Sequence, residues 1–322
     1  MKESPLVSVL MPAYNCERFV KEAISCVLNQ TYSNWELLIA DDASTDGTKK
    51  IINQYNDPRI RFYHNDKNLG YLRTWNKLIA MAKGAFITFL DADDTCSLDR
   101  IEKTLTAFEK NLEIDVIGSN FNRVNERGQI LFTSNFFLTH AEIVSKMPKD
   151  FNIVGSGLMI KKKVYETIGG YNLFFDRIGA EDYYWIYLIS EQFKIMNLSE
   201  ALYNYRFNSN SVMGNLTVNP QKLFVNEVLQ EIIGQRIRTG TDDISTGNSA
   251  NLSAFLEKKL DEVGREPYQL LSFVARRRFY EGHLMLSIKL QLKAIAEKPF
   301  KSELYKDFFY FISASLKEMK WH

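Results

Sequence analysis

Phe86-Ile-Thr-Phe-Leu-Asp-Ala-Asp-Asp94 is a short run of strand-forming residues that stops at three carboxylates. Such a run, bounded by polar residues, reads as a buried strand. The same grammar occurs three times upstream, at Val7–Met11, Leu37–Ala40 and Arg59–Tyr63. Each strand is followed by helical spacing. Phe19, Val20, Ala23, Ile24, Val27 and Leu28 stripe the first helix, and the turn Asp41-Asp-Ala-Ser-Thr-Asp-Gly47 leads into a second that runs to about Tyr55. Leu72–Lys83 reads as a third, and Leu98, Ile101, Leu105 and Phe108 stripe a fourth. Strand–helix alternation of this kind predicts an α/β fold, a mostly parallel sheet flanked by helices, with ligands bound beyond the carboxyl ends of its strands.

From Asp115 the rhythm changes. Val116–Val124, a turn at Asn125–Gly128 and Ile130–Thr133 suggest an antiparallel addition; a strand at Leu158–Ile160 and helices at Lys162–Ile168 and Glu181–Gln192 follow. Beyond about Asn215 the pattern is mainly helical, although Leu284, Leu286, Ile288, Leu290 and Leu292 alternate as a strand would. The expected domains are residues 1–214, with halves at about 1–115 and 116–214, and a mainly α-helical region at 215–322.

Acids gather at two expected strand ends. Side chains alternate in an extended chain, so Asp91 and Asp93 should project to one side and Asp94 to the other. Two converging carboxylates repel, and a hard divalent cation relieves that by taking oxygen ligands from them and from phosphates. The same acids would also suit a helix N-terminus. Asp41 and Asp42 close the second strand, where a turn or cap is the alternative. Pro12-Ala-Tyr14-Asn15 closes the first, offering an aromatic face and an amide; a turn with Asn15 capping the next helix is the alternative.

The 322 residues carry 40 Lys+Arg and 39 Asp+Glu, so bulk charge selects no partner and nothing points to nucleic acid. The charge is uneven, however. Residues 265–322 hold 11 basic, 6 acidic and 11 aromatic residues, leaving 29 basic and 33 acidic for the rest. Such a tail could rest on anionic lipid, pack within a helical appendage or form a homodimer contact. The aromatic run Phe308–Leu316 is too short to span a bilayer. Cys16, Cys26 and Cys96 are too few and too scattered for a disulfide framework, which favours a reducing, cytoplasmic setting.

Val7-Ser-Val-Leu-Met-Pro-Ala-Tyr-Asn15, Leu38-Ile-Ala-Asp-Asp-Ala-Ser-Thr-Asp-Gly-Thr48, Asn68-Leu-Gly70 with Asn76, Ala82-Lys-Gly84, Phe89-Leu-Asp-Ala-Asp-Asp94, Ile168-Gly-Gly-Tyr171 and Gly179-Ala-Glu-Asp182 together resemble the family 2 glycosyltransferases of the GT-A fold, over roughly residues 5–212. The resemblance implies a GT-A, Rossmann-like sheet and inverting transfer of a sugar from a nucleotide-sugar donor, with UDP as the nucleotide, to a saccharide or lipid-linked saccharide in bacterial surface polymer or glycolipid synthesis. It implies Mn²⁺ or Mg²⁺ on Asp93, with Asp91 near the metal or ribose. Pro12, Tyr14, Asn15, Asp41, Asp42, Asn68, Gly70, Arg73, Asp91 and Ala92 would surround the nucleotide. Asp182, beside Glu181, would be the general base; on the residues alone, that pair reads as a helix N-terminus. An enzyme so built would be cytoplasmic or peripheral at the inner face of the membrane.

Two departures bear on these roles. Trp75 stands where the family often has an Arg, so its contact is missing or moved to Arg73, and Asn208 stands where a metal-binding His is common. Tyr205 and Arg206, just before it, read equally as a strand end with a surface ion pair or as substrate contacts. Two other enzyme classes lack their loops: no triphosphate loop for a nucleotidyltransferase and no Gly-x-Gly-x-x-Gly for an oxidoreductase follows the first strand. A non-catalytic protein that kept the fold is the remaining alternative.

Overall fold

The computed structural model describes residues 4–147, 152–206, 224–280 and 284–318. The chain divides into two compact units, Met1–Asn208 and Ser209–His322. In the first, the four expected strands form as β1 (Val7–Ala13), β2 (Trp35–Asp41), β3 (Ile60–His64) and β4 (Phe86–Phe89), parallel in the order β3-β2-β1-β4. Both β1 and β2 are almost wholly buried, as strands covered on both faces must be. Pro12 is tolerated near the end of β1 because pairing with β4 stops at Leu10–Phe89, so no β4 carbonyl waits for its missing N–H.

The helices are α1 (Val20–Leu28), α2 (Thr48–Ile52), α3 (Tyr71–Ala80) and α4 (Arg100–Lys110). Helix α2 is shorter than its periodicity predicts. Leu98 lies outside α4 and is exposed, its carbonyl accepting a hydrogen bond from the Thr31 N–H at 2.8 Å.

The sheet is completed by β5 (Thr95–Cys96), β6 (Val116–Val124), β7 (Ile130–Thr133), β8 (Met159–Lys161) and β9 (Ile195–Arg206). Here the pairing turns mixed. Strand β8 lies antiparallel between β4 and β6; β6 then runs parallel to β9 and antiparallel to β7, and β9 is antiparallel to β5. Helices α5 (His140–Lys146), α6 (Lys162–Ile168) and α7 (Glu181–Ser190) accompany this half.

Backbone meets backbone where β4 enters the sheet beside β1. A Cβ on Gly84 would sit 2.6–2.7 Å from Leu6, Ser8 and Phe86 backbone atoms, so only glycine lets the β4 entrance meet β1. On α3, Trp75 is buried, stacked on Tyr171 at 3.9 Å and on Phe89 at 4.7 Å. Its neighbour Asn76 acts like a strand residue: Nδ2 donates to the Tyr171 carbonyl and Oδ1 accepts from the Tyr171 N–H, both at 2.8 Å.

The second unit is helical: α8 (Val225–Thr239), α9 (Ala250–Arg265), α10 (Pro267–Tyr280), α11 (Leu284–Glu297) and α12 (Ser302–Glu318). The strand reading of 284–292 is therefore corrected. The alternating leucines sit on a helix whose inward positions are Ser287, Gln291 and Ala294. Among the described residues no helix is long and apolar enough to cross a membrane.

Asn76→Ala should destabilise the first unit by about 2–4 kcal/mol, because it strands a backbone donor and an acceptor beside a stacked aromatic cluster. Urea unfolding checks this, with Lys77→Ala as a milder control on the same helix.

Candidate active site

The carboxyl ends of β2 and β4 present the acids the sequence singled out, but not as an extended array. Strand β4 ends at Phe89, and Leu90–Asp94 form a turn closed by the Asp94 N–H donating to the Asp91 carbonyl at 3.0 Å. The expectation of strict alternation is thus corrected. Asp91 and Asp93 still share a neighbourhood: burial first, then the Asp93 charge, push Asp91 up to about 6. Two hydroxyls steady Asp91, Ser156 Oγ donating to Oδ2 at 2.6 Å and Tyr71 Oη donating to Oδ1 at 3.1 Å.

Asp94 turns inward. It accepts from Tyr203 Oη and from the Arg206 N–H, each at 2.6 Å, and burial pushes its carboxyl well above the ordinary range. Arg206 ends β9 and pairs with the exposed Glu22, as one of its two readings had it, but the guanidinium itself is buried rather than at the surface. Its Nε donates to the Asp93 carbonyl at 2.8 Å, Nη1 to the Glu126 carbonyl at 2.9 Å and Nη2 to Glu22 Oε2 at 2.6 Å. One guanidinium thereby ties the acidic turn to α1 and to the β6–β7 turn. Asn208 lies outside the described residues.

On a second segment, α7 begins at Glu181-Asp182 after Ala180, which is left-handed at φ 67°. Burial raises Asp182 to about 6, against its hydrogen bond from the Tyr183 N–H at 2.8 Å. Gly155-Ser156 forms the bridge between the two acidic groups. A Cβ on Gly155 would lie 2.7 Å from Asp182 Cβ, while Ser156 grips Asp91. Tyr71 and Tyr171 feel Asp91, Glu181 and Asp182, and burial pushes both phenols well up.

On the β1–β2 side, Asp42 is buried and largely engaged: Oδ1 accepts from Asn65 Nδ2 at 2.8 Å and the Leu69 N–H at 2.9 Å, and Oδ2 from the Gly70 N–H at 2.9 Å. It holds the loop of Asn68 and Gly70, where Asn68 is exposed and Gly70 has φ 90°. Asp41 pairs with His64 Nδ1 at 2.9 Å through Oδ2, and its other oxygen is buried without a hydrogen bond. Neither acid caps α2, whose N-cap is Gly47; Asp46, just before it, accepts from the Thr48 N–H at 2.9 Å.

Tyr14 is exposed beside Pro12 at the rim. Asn15 does not cap α1; with φ 48° its Oδ1 accepts from the Thr45 N–H at 2.8 Å, joining the β1 and β2 loops. Ala92 is buried. Arg73 is half exposed and faces Asp176 at 3.7 Å, while the buried Trp75 is core.

Tyr71, Ser156, Gly155 and the Arg206 clamp were missed from the sequence, because nothing local marks a hydroxyl or guanidinium as the partner of a distant acid. Cys26 and Cys96, scattered in sequence, lie 3.5 Å apart as buried thiols, Cys96 being drawn down to about 7 by Cys26 and the nearby Arg100.

A half-buried acidic turn near a second carboxylate pair thus lies beyond the strand ends of an α/β sheet, where such folds bind ligands. The sequence profile of glycosyl transferase family 2 matches residues 8–169, and the chain belongs to that family. It is 34% identical over 222 residues to the glycosyltransferase EpsE of Bacillus subtilis, covering 66% of this chain and 76% of that one. An Escherichia coli relative, the UDP-Glc:alpha-D-GlcNAc-diphosphoundecaprenol beta-1,3-glucosyltransferase WfgD, is 29% identical over 65% of this chain and 80% of its own. Among solved structures, Staphylococcus aureus TarS 1–349 in complex with UDP-GlcNAc superposes with a TM-score of 0.55 at 16% identity, over 97% of this chain and 92% of that one, a likeness of GT-A fold.

Arg206→Met, close in volume, should lower stability by about 2–4 kcal/mol by leaving the Asp93 and Glu126 carbonyls without their donor. Thermal and chemical unfolding of the variant would check it.

Proposed function

We propose that this family 2 glycosyltransferase moves a sugar from a UDP-sugar to the hydroxyl of a saccharide or lipid-linked saccharide, with inversion at the anomeric carbon, in bacterial surface polymer synthesis. The observation that carries the reading is the facing of Asp182 and the Asp91–Asp93 turn across Gly155-Ser156. The donor named for WfgD and the ligand named for TarS support a UDP-sugar, and the lipid diphosphate in WfgD's name supports the acceptor class.

In this reading Asp182 takes the proton of the attacking hydroxyl. The new C–O bond forms on one face of the sugar as the bond to the diphosphate breaks on the other, and the nucleoside diphosphate leaves with the electron pair. A base raised to about 6 by burial is ionised at neutral pH yet basic enough to accept a proton, a role worth roughly 10²–10⁴-fold. Tyr14 would lie against the base and Asp42 would accept from a donor on it, with Asp41 nearby, while Asp42 also holds the Asn68–Gly70 loop in place.

Two hard oxygen donors in one turn suit Mg²⁺ or Mn²⁺. Among the described residues no group of three or more His, Cys, Asp or Glu could hold a metal ion, so Asp93 and Asp91 would hold one together with diphosphate oxygens and water. Such an ion would supply charge stabilisation for the departing diphosphate.

Nucleotide release from a panel of UDP-, GDP- and dTDP-sugars tests the donor; absence of turnover with every donor and acceptor class would favour the non-catalytic alternative. Asp182→Asn should lower kcat roughly 10²–10⁴-fold with donor KM little changed. In the parent enzyme, kcat/KM should fall as pH drops through about 6, where the base protonates, and hold above it. Asp93→Ala should remove the Mn²⁺ dependence of UDP binding, read by calorimetry; an unchanged dependence would move the ion elsewhere.

A further inference from the structure

Helix α11 leaves a second apolar stripe in water. Ser287, Gln291 and Ala294 are fully buried, Gln291 Nε2 donating to the Leu304 carbonyl at 2.8 Å, whereas Met285, Leu286 and Leu292 are 78%, 43% and 48% exposed. A helix gains stability by turning its apolar stripe inward; here Leu284, Ile288, Leu290 and Ile295 are half-buried, but Met285, Leu286 and Leu292 are left facing water.

The features next to it repeat the pattern. Phe300, in the α11–α12 connection Lys298-Pro-Phe-Lys301, is 99% exposed between two lysines. Tyr305 Oη donates back to the Pro299 carbonyl at 2.8 Å, fixing that connection. On α12, Leu304 and Phe311 are buried while Phe309 is 63% exposed.

The charges around these residues choose the occupant. Residues 284–313 contain five lysines and three acids; Asp307 turns inward to Ser272 and Arg276, and Lys298 pairs with Glu266 at 3.7 Å. Lys289 and Lys293 lie on the exposed side of α11 and Lys306 on that of α12. A two-fold contact between copies would set these lysines against each other, since such an interface meets itself. An anionic bilayer surface instead complements them. Lysine stems lie along the apolar boundary with their ammonium groups among the headgroups, and exposed aromatics enter the interface.

We infer that the α11–α12 hairpin, led by Phe300, is a docking surface for an anionic phospholipid bilayer. This stands independently of the proposed donor, acceptor and metal.

The test is sedimentation of the full chain with sucrose-loaded vesicles of phosphatidylcholine alone or with about one third phosphatidylglycerol. The protein should pellet with the anionic vesicles and be released by salt. Phe300→Ser with Phe309→Ser should weaken the partition roughly tenfold or more. Lys293→Gln with Lys301→Gln should weaken it a few-fold and flatten its salt dependence. Both pairs are exposed, and circular dichroism confirms folding; Met285→Ser with Leu292→Ser is the second apolar pair, should the first misfold. Absence of binding to anionic vesicles, or wild-type binding by a folded Phe300/Phe309 variant, would overturn the inference. So would a dimer in light scattering that this variant dissociates, with no vesicle binding by the parent.

Discussion

Like charges crowded at the edge of a low-dielectric interior are the constraint around which the first unit is organised. Asp91, Asp93, Glu181 and Asp182 come from two segments about ninety residues apart, yet the same two phenols, Tyr71 and Tyr171, feel the field of three of them. Carboxylates so placed raise one another's pKa and resist ionisation. The chain answers with neutral donors and with one cation set on a backbone carbonyl: Ser156 and Tyr71 on Asp91, the Tyr183 N–H on Asp182, and Arg206 behind Asp93. Arg206 holds the turn without forming a side-chain ion pair with Asp93's neighbour Asp94, which takes a backbone N–H from it instead.

The same economy governs the backbone. Asn15, Ala43 and Ala180 adopt positive φ of 48°, 59° and 67°, and each adjoins a candidate residue: Tyr14, Asp42 and Glu181. Such conformations cost roughly 1 kcal/mol or more for residues with a Cβ and persist only where surrounding contacts enforce them. At Asn15 the enforcing contacts are visible in its bonds to Ser44 and Thr45. Strain here therefore lies at the strand ends and the α7 entrance, where the pocket needs sharp changes of direction, while β1 and β2 stay regular and buried beneath it.

Both units keep an apolar interior, with Val228, Ile232, Leu256 and Phe311 buried in the second, but α11 departs from that rule in part. In the first, large apolar groups such as Trp35, Trp75 and Trp185 are inside, and the Trp185 indole N–H donates to the Gly169 carbonyl. In the second, α11 buries serine, glutamine and alanine and exposes methionine and leucine. Apolar surface held in water is unfavourable in proportion to its area, so a helix of that kind is a statement about its surroundings as much as about its own packing.

Much was legible in the sequence. Apolar runs with helical spacing between them, and turns such as Asp41–Gly47, determined the β1–β4 strands and their helices, because period and punctuation act within a few residues of the chain. The acid positions at strand ends followed from the same reading. What only the tertiary structure decided were pairings across long separations: Asp94 with Tyr203, Asn76 with Tyr171, Cys26 with Cys96, Gly155 against Asp182. It also settled Trp75 as core, Arg206 as a buried clamp and 284–297 as a helix, since an alternating run of leucines satisfies strand and helix alike until its neighbours in space choose. Local pattern fixes what a segment can become; burial and charge, which depend on every segment at once, decide what each side chain meets.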